Sequence, residues 1–372
     1  DNDSRVAPLG LIAMAGASEL GKKVDGYLTK WANENEFVKD TFLVEAVCPR
    51  FSSGDGKALI KNTVRGYDLY IIADFGNYSL EYPLFGRMNR MSPDDHFQNL
   101  KRIIQAIGGK AHRISIITPI LYGGRQHRRN YRESLDCAVA LQELQNMGVS
   151  NIIAFDAHDP RVCNAVPLMG FDNIIPTYQV LKALFKYVKD FKMDKDHFMV
   201  VSPDEGALNR NMYYSSVLGV DLGMFYKRRD YSQVVNGRNP IVAHEYLGNS
   251  VEGKDVFIAD DIISSGESML DIAIELKKRN AKRIFAYATY PIFTNGLEAF
   301  DKAYAEGKID YVFGTNLSYR TPELLSREWF CEVDVSKYLS YLIMALNHDM
   351  SISKVIDPHQ KISALLEKHM ND

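Results

Sequence analysis

Two adjacent carboxylates, Asp260 and Asp261, end an apolar run that begins at Val256. A run that is apolar on both faces is typical of a parallel strand between helix layers, and ligands of open α/β sheets bind at the carboxyl ends of such strands. The small residues that follow, with hydroxyls and accessible backbone N–H groups, are Ser264, Ser265, Gly266 and Ser268. Residues 268–279 then show the pattern of an amphipathic helix, and helix N-termini attract phosphate. The stretch therefore predicts a phosphate on the loop and a diol or Mg²⁺ on the aspartates.

The same residues also fit an ordinary turn from a strand into a helix. Asp followed by Ser and Gly is common in such turns, and Ser268 would then act only as the helix N-cap. The stretch alone leaves both interpretations open.

A second polar loop, residues 122–133, carries four arginines and follows a strand predicted over 113–118. Guanidinium groups donate in pairs to phosphate oxygens, so such a loop can bind a polyphosphate. A basic loop that is simply solvated is the alternative.

Two single residues also follow predicted strands. His158 comes after the strand predicted over 151–155, where a neutral imidazole can ligate a metal or contact phosphate. A lone histidine in such a place is more often structural. Asp204 lies in the turn after the strand predicted over 198–201, so it also follows the carboxyl end of a predicted strand.

Lys227 and Arg229 form a basic cluster just after a strand predicted over 221–225. The polar connection that follows, residues 230–239, is long enough to act as a mobile lid. Clusters of this kind are also common on solvated surfaces, so the cluster alone is weak evidence of function.

Strand and helix patterns alternate along the chain, which predicts a mainly parallel sheet flanked by helices. Segments 64–74 and 251–260 share V-x-G-x-D, an aromatic residue and an Ile-rich strand, and each is followed by a helix pattern and a strand that begins with A-x-R-I. This repeat predicts two related α/β domains, although βα units of one size also resemble each other by chance. We place the domains at residues 1–163 and 164–335, with a C-terminal helix and tail over 336–372.

Composition limits the class of protein. The chain has 372 residues, 46% of them apolar, and a formal charge of −3, which suits a globular protein and argues against a dedicated nucleic-acid binder. No apolar run reaches the roughly 20 residues that span a bilayer, and residues 9–17 are unlike a secretory signal. The four cysteines are widely spaced and show no metal-binding pattern, which predicts reduced thiols and a cytoplasmic enzyme.

Taken together over residues 9–290, the motifs resemble those of the ribose-phosphate diphosphokinases, whose domains are like type I phosphoribosyltransferases. The segment around Asp260 is similar to their phosphoribosyl-diphosphate loop. The other matching motifs are R-F-x-x-G-D over 50–55, Y-G-G-R-Q over 122–126, D-x-H over 156–158, V-V-S-P-D over 200–204 and K-R-R over 227–229. The chain departs from the family at His127 and Ser264, where the family has or often has Asp, and at Glu267, where it usually has Gly.

The resemblance implies two tandem phosphoribosyltransferase-like domains and an Mg²⁺-dependent transfer of the diphosphoryl group of ATP to the C1 hydroxyl of ribose 5-phosphate. The implied ATP contacts are Phe51, Asp55, Arg125, Gln126 and His158. The implied ribose 5-phosphate contacts are Asp260, Asp261, Ser264, Ser265, Gly266 and Ser268. The implied metal ligands are His158 and Asp204, and the implied catalytic residues are Lys227, Arg229 and His158.

The family's counterparts of Phe51 and Asp55 contact adenine from a neighbouring subunit. The resemblance therefore implies a homo-oligomer, at least dimeric and hexameric in the family. The charge and the short apolar runs argue against nucleic acid or membrane as a partner. The alternative is a catalytically silent regulatory homologue that binds nucleotides in a mixed oligomer, which the three departures favour. Retention of His158, Asp204 and the basic cluster favours the enzyme. Residues 77–93 have the pattern of an inserted excursion, and the likeness fades after Ile292, so that residues 293–330 and the tail beyond 354 are extensions.

Overall fold

The computed structural model describes residues 4–372. Its strands are β1 (Leu9–Ala13), β2 (Ala46–Val47), β3 (Leu59–Ile60), β4 (Asp68–Ile72), β5 (Glu81–Leu84), β6 (Arg87–Arg90), β7 (Arg113–Ile117), β8 (Asn151–Phe155), β9 (Gly170–Ile174), β10 (Phe198–Ser202), β11 (Asp221–Arg229), β12 (Ile241–Leu247), β13 (Asp255–Ile263), β14 (Arg283–Pro291), β15 (Tyr311–Thr315) and β16 (Phe330–Val333). Its helices are α1 (Ser18–Glu34), α2 (Pro93–Ile107), α3 (Asp136–Asn146), α4 (Thr177–Tyr187), α5 (Leu208–Leu218), α6 (Glu267–Lys278), α7 (Glu298–Ala305), α8 (Pro322–Leu325), α9 (Ser336–Asn347), α10 (Ser353–Ile356) and α11 (His359–Asn371). The predicted α/β class is confirmed.

The chain divides into two compact units. The first comprises the residues up to Pro176 together with Asn316–Tyr319 and Asp334–Asp357. The second comprises Thr177–Thr315, Arg320–Val333 and Pro358–Asp372. These limits differ from the ranges 1–163, 164–335 and 336–372, which remain predictions of the domain boundaries. α9 and α10 therefore belong to the first unit and α11 to the second, a division that no local sequence pattern indicates.

The sheet of the first unit has the strand order β1-β4-β7-β8-β9, and all neighbouring strands are parallel. α2 covers this sheet, and capping residues define both ends of the helix. Ser92 and Asp95 form a capping box, Pro93 occupies the first helical position, and Gly108 ends the helix in the left-handed conformation. The apolar face of α2 then fills the core, with Leu100, Ile103, Ile104 and Ile107 buried.

The sheet of the second unit has the strand order β12-β11-β10-β13-β14-β15-β16. Only the β11–β12 pair, at one edge, is antiparallel. β13 and β14 lie in the middle and are apolar and buried through most of their length, as strands between two helix layers must be. The carboxyl end of β13 is therefore enclosed by neighbouring strands and their following turns.

One ion pair occurs in both sheets at matching places and supports the internal repeat. In the first unit Asp68 begins β4, Arg113 begins β7 beside it, and Nε of Arg113 donates to Oδ1 of Asp68 at 2.8 Å. In the second unit Asp255 and Arg283 begin β13 and β14 in the same register, and Nε of Arg283 donates to Oδ1 of Asp255 at 2.9 Å. The shared V-x-G-x-D and A-x-R-I patterns therefore encode the same structural pair.

Some stretches have a structure that their local sequence pattern does not indicate. Residues 42–47 form a named strand only at β2, although Leu43 makes an isolated parallel bridge to Leu11 of β1 and the N–H of Val44 donates to the carbonyl of Leu11 at 2.7 Å. Residues 77–93 contain the β5–β6 hairpin, and residues 293–330 supply α7, β15 and α8, which extend the second unit. No helix within residues 4–372 is long and apolar enough to cross a bilayer.

Candidate active site

The adjacent aspartates lie inside β13, because this strand continues to Ile263 rather than ending at the aspartates as predicted. Asp260 is in register with Ala288 of β14. Asp261 is buried, and its backbone N–H donates to Oδ1 of Asp260 at 2.8 Å. The interaction between the two side chains raises the pKa of Asp260.

Asp204 is the third carboxylate of this cluster. β10 pairs with β13 only as far as Val200 opposite Phe257, so the turn after β10 stands beside the continuing part of β13. Oδ1 of Asp204 accepts the N–H of Ala207 at 2.9 Å, which fixes the carboxylate in its turn. Its negative charge acts on Asp260, so the structure brings these predicted residues together.

Burial, then the charge of Asp261 and the hydrogen bond to it, and then the charge of Asp204 raise the pKa of Asp260 to about 8. The cluster thus carries concentrated negative charge in a desolvated place. A divalent cation or a hydroxyl donor beside it would relieve that repulsion.

These carboxylates fit Mg²⁺, which binds oxygen ligands. Across residues 4–372, no three His, Cys, Asp or Glu side chains are gathered into a complete metal-binding group. Mg²⁺ nevertheless keeps several water ligands and is usually held by one or two carboxylates and the phosphates of a substrate. Two of the clustered carboxylates are therefore enough for such a site.

Replacement of Asp260 by Asn is expected to stabilise the fold increasingly as pH rises. The carboxyl group titrates near pH 3.9 in an unfolded chain and at about pH 8 in the folded one. Between these values the folded state binds a proton that the unfolded state lacks, so wild-type stability falls with rising pH. The Asn variant lacks this slope. Melting temperatures of both proteins in EDTA should therefore diverge from pH 5 to pH 8, with the variant the more stable; a constant difference would contradict the buried carboxyl pair.

The loop after β13 is shaped by Gly266, which occupies the N-cap position of α6 with φ +81°. Ser268, the N-cap in the turn interpretation, lies instead in the first turn and is exposed. The carbonyl of Ser264 accepts the N–H of Thr294 at 2.8 Å, and the hydroxyl of Ser265 faces the N–H of Glu267 at 3.4 Å. Thr294 is a loop partner that sequence analysis missed, because it lies in another βα connection.

Alanine at Gly266 is expected to deform this loop. A Cβ there would lie 2.3 Å from a ring carbon of Phe300, in addition to the positive φ. Gly253→Ala is the matched control, since Gly253 has φ +70° and nothing within 4 Å of such a Cβ. The positive φ destabilises both variants by about 1–3 kcal/mol. Only Gly266→Ala should show a further decrease in the free energy of unfolding, measured in urea, and weaker binding of a sugar phosphate. Equal behaviour of the two variants would show that the loop tolerates the displacement.

Lys227 and Arg229 lie on the outer part of β11, beyond residue 225 where the predicted strand ended. β12 pairs with this part, placing Lys227 opposite His244, with a bulge between Arg228 and Arg229. Nη1 of Arg229 donates to the carbonyl of Asn239 at 3.0 Å, whereas Lys227 is exposed. The connection predicted as a lid is therefore the tip of a β-hairpin on the sheet edge.

In the first unit, the arginine loop is tied to the start of α3 by Gln126. Oε1 of Gln126 accepts the N–H of Asp136 at 2.5 Å, and its Nε2 donates to the carbonyl of Ser134. The side-chain amide thus supports the loop in this structure, while Arg125 is exposed. Gln126 positions the loop, a role that its neighbours in sequence do not indicate.

His158 is exposed after β8, and its ring centroid lies 5.3 Å from that of His127. Nδ1 of His127 is 3.2 Å from Oδ2 of Asp159. Arg161 donates hydrogen bonds to the Asp159 carboxylate and lowers its pKa to about 2, and burial lowers the pKa of His127. The departure at His127 therefore places a second imidazole beside His158.

Phe51 and Asp55 lie in a tight turn, in which the N–H of Phe51 donates to the carbonyl of Asp55 at 2.8 Å. The Phe51 side chain is 54% exposed. The β5–β6 hairpin lies beside this turn, because the position of a Cβ on Gly54 would be 2.5 Å from Leu84. The turn thus presents an aromatic ring to its surroundings.

Each of the two units contains a segment that matches a known protein family. Residues 9–148 match the family model for the N-terminal domain of ribose phosphate pyrophosphokinase, and residues 177–314 match the phosphoribosyl transferase domain. A ribose-phosphate pyrophosphokinase of Vibrio cholerae is 28% identical over 326 residues, covering 85% of this chain and 92% of the relative. One of Ralstonia nicotianae is 29% identical over 261 residues, covering 69% of this chain and 73% of the relative. The structure of a phosphoribosylpyrophosphate synthetase from Mycobacterium smegmatis matches 92% of this chain and 99% of its own with a TM-score of 0.71 at 21% identity, which shows a shared fold.

Proposed function

The chain belongs to the ribose-phosphate pyrophosphokinase family, and from this we propose that it transfers the β,γ-diphosphoryl group of ATP to the C1 hydroxyl of ribose 5-phosphate. The oxygen of that hydroxyl bonds to the β-phosphorus, the bond from the β-phosphorus to the α-phosphate oxygen breaks, and the hydroxyl proton is released. The products are 5-phosphoribosyl 1-diphosphate and AMP. The observation that carries this proposal is the carboxylate cluster of Asp204, Asp260 and Asp261 beside a loop that enters α6 through Gly266.

In the second unit, the loop formed by Ser264, Ser265, Gly266 and Ser268 would bind the 5-phosphate of the sugar. The start of α6 supports this role, because backbone N–H groups and the helix dipole favour an anion there. Asp260 and Asp261 would accept hydrogen bonds from the ribose hydroxyls. A carboxyl that holds a proton near neutral pH, as Asp260 does, can also donate one.

In the first unit, Arg125 and His158 would contact the phosphates of ATP, and Phe51 and Asp55 its adenine. Exposed guanidinium and imidazole groups suit phosphate oxygens. Gln126 would reach ATP only by giving up its bonds to Ser134 and Asp136. We therefore propose that the main role of Gln126 is to support the loop and that contact with ATP is a secondary role.

In the second unit, Asp204 with Asp260 or Asp261 would hold Mg²⁺. In the first unit, His158 would be a ligand of Mg²⁺. When bound, it neutralises phosphate charge that would otherwise repel the attacking oxygen. Lys227 and Arg229 would supply further positive charge to the transferred group.

Activity should require at least two copies of the chain, since the proposed adenine contacts come from a neighbouring subunit. The exposed ring of Phe51 supports this. A mixture of Phe51→Ala and Lys227→Ala proteins, each impaired alone, should regain activity, because a hybrid contains one site with both native residues. Light scattering provides the control for assembly. An active monomer, or a mixture that is no more active than the two variants measured separately, would overturn the shared site.

Release of AMP from ATP that depends on ribose 5-phosphate tests the proposed activity. The regulatory homologue is the competing function, and Glu267 favours it, since this exposed carboxylate lies in the first turn of α6 where a phosphate would bind. Nucleotide binding without AMP release would support that alternative.

A further inference from the structure

Asn211 is fully buried on α5, with 0% of its surface exposed, and its side-chain amide bonds both backbone groups of one residue of β13. Its Oδ1 accepts the N–H of Ala259 at 3.0 Å, and its Nδ2 donates to the carbonyl of Ala259 at 2.8 Å. Nδ2 also donates to the carbonyl of Ala207 at 2.9 Å. Because the amide accepts a hydrogen bond from Ala259 and donates one to it, the orientation of the amide is fixed.

This amide takes the place of a neighbouring strand. β10 and β13 pair up to Val200 opposite Phe257, and Ala259 lies beyond that point. Its backbone groups would be left without partners in a buried position, which is costly. A side-chain amide has the same donor and acceptor as a peptide group, so Asn211 extends the hydrogen bonding of the sheet.

The two segments that Asn211 joins carry the clustered carboxylates. Ala259 immediately precedes Asp260, and Ala207 donates its N–H to Asp204 at 2.9 Å. When carboxylates of both segments are ionised in this desolvated place, their charges repel each other and favour separation of the two segments. Asn211 supplies bonds to both of them.

We propose that Asn211 is a positioning residue of the sugar-phosphate site, which sets the separation of the Asp204 turn from Asp260 and thereby the affinity for ribose 5-phosphate. This inference rests on the proposed function. It adds a residue that touches neither substrate and acts through the backbone of Ala259 and Ala207.

The test compares Asn211→Leu and Asn211→Ala with wild type and with Leu218→Ala. Leucine keeps the volume of asparagine but removes all three bonds. Alanine leaves room for water to reach the Ala259 groups, so it should fold even if the leucine variant does not. Leu218 is also buried on α5, and its truncation destabilises the fold by leaving a cavity without removing a bond to either carboxylate segment. Circular dichroism melts show which of the four proteins fold and identify a temperature at which those proteins are fully folded and can be compared.

At that temperature, calorimetric titration with ribose 5-phosphate in the presence of Mg²⁺ and the KM for each substrate are measured. We expect binding of ribose 5-phosphate to weaken about 10- to 100-fold in the Asn211 variants, as for other residues that orient ligands, while the KM for ATP stays near that of wild type. Leu218→Ala should bind ribose 5-phosphate normally. Wild-type affinity in the Asn211 variants, or an equal loss for both substrates in all variants, would overturn the assignment. Failure of wild type itself to bind ribose 5-phosphate would instead overturn the proposed function and the inference with it.

Discussion

Alanine at Lys227 or at Arg229 is expected to lower kcat by about 10²- to 10³-fold, the usual cost of losing a group that stabilises a transition state. Nucleotide binding by the resting enzyme should change little, because the charge on the diphosphoryl group builds up only as the reaction proceeds. Steady-state kinetics and titration with a non-hydrolysable ATP analogue separate the two effects.

Arg228→Ala is the matched control for this pair. Alternate residues of a strand point to opposite faces, and Nε of Arg228 pairs with Oε1 of Glu245 at 3.3 Å, so this variant should keep wild-type kcat. A change in KM alone would make Lys227 and Arg229 ligands of the ground-state phosphates. Wild-type kinetics in all three variants would make the cluster a solvated surface feature.

Asp261→Asn is expected to weaken ribose 5-phosphate binding about 10- to 100-fold, the cost typical of disturbing a group that orients a ligand or metal. The substitution removes negative charge from a buried pair, so the protein should fold at least as well as wild type. Titration with ribose 5-phosphate and a thermal melt measure the two properties separately.

Asp271→Asn on the exposed side of α6 makes the same change of charge away from the cluster and should leave binding unchanged. If Asp261→Asn binds ribose 5-phosphate like this control, the sugar site lies elsewhere. If it unfolds, Asp261 has a structural role that the site hypothesis does not include.

The central strands and most helices were predictable because their patterns are local. β8 spans 151–155 as predicted, and the strand predicted over 198–201 is β10, Phe198–Ser202. Hydrophobic periodicity and capping residues determine such elements over short stretches. β9, β12 and β16 were missed, since edge strands such as these carry weaker patterns and depend on their neighbours for pairing. β15 was also missed, although it lies inside the sheet between β14 and β16.

The sequence indicated which residues belong to the candidate site, but it indicated few of the contacts between them. The aspartates and the loop follow a recognisable strand, so their position was evident. The bonds from Gln126 to the start of α3 and from Asn211 to Ala259 connect residues that are 10 and 48 positions apart. Such contacts depend on how elements pack, which no local pattern encodes.

Incubation of the wild-type protein with ATP, Mg²⁺ and ribose 5-phosphate, followed by separation of the nucleotides, tests the central claim most directly. We expect AMP and 5-phosphoribosyl 1-diphosphate in equal amounts, and no AMP when ribose 5-phosphate is omitted or EDTA is present. Lys227→Ala protein prepared in the same way controls for contaminating enzymes. ADP in place of AMP, AMP formed equally without the sugar, or bound ATP that is never converted would contradict the proposed function.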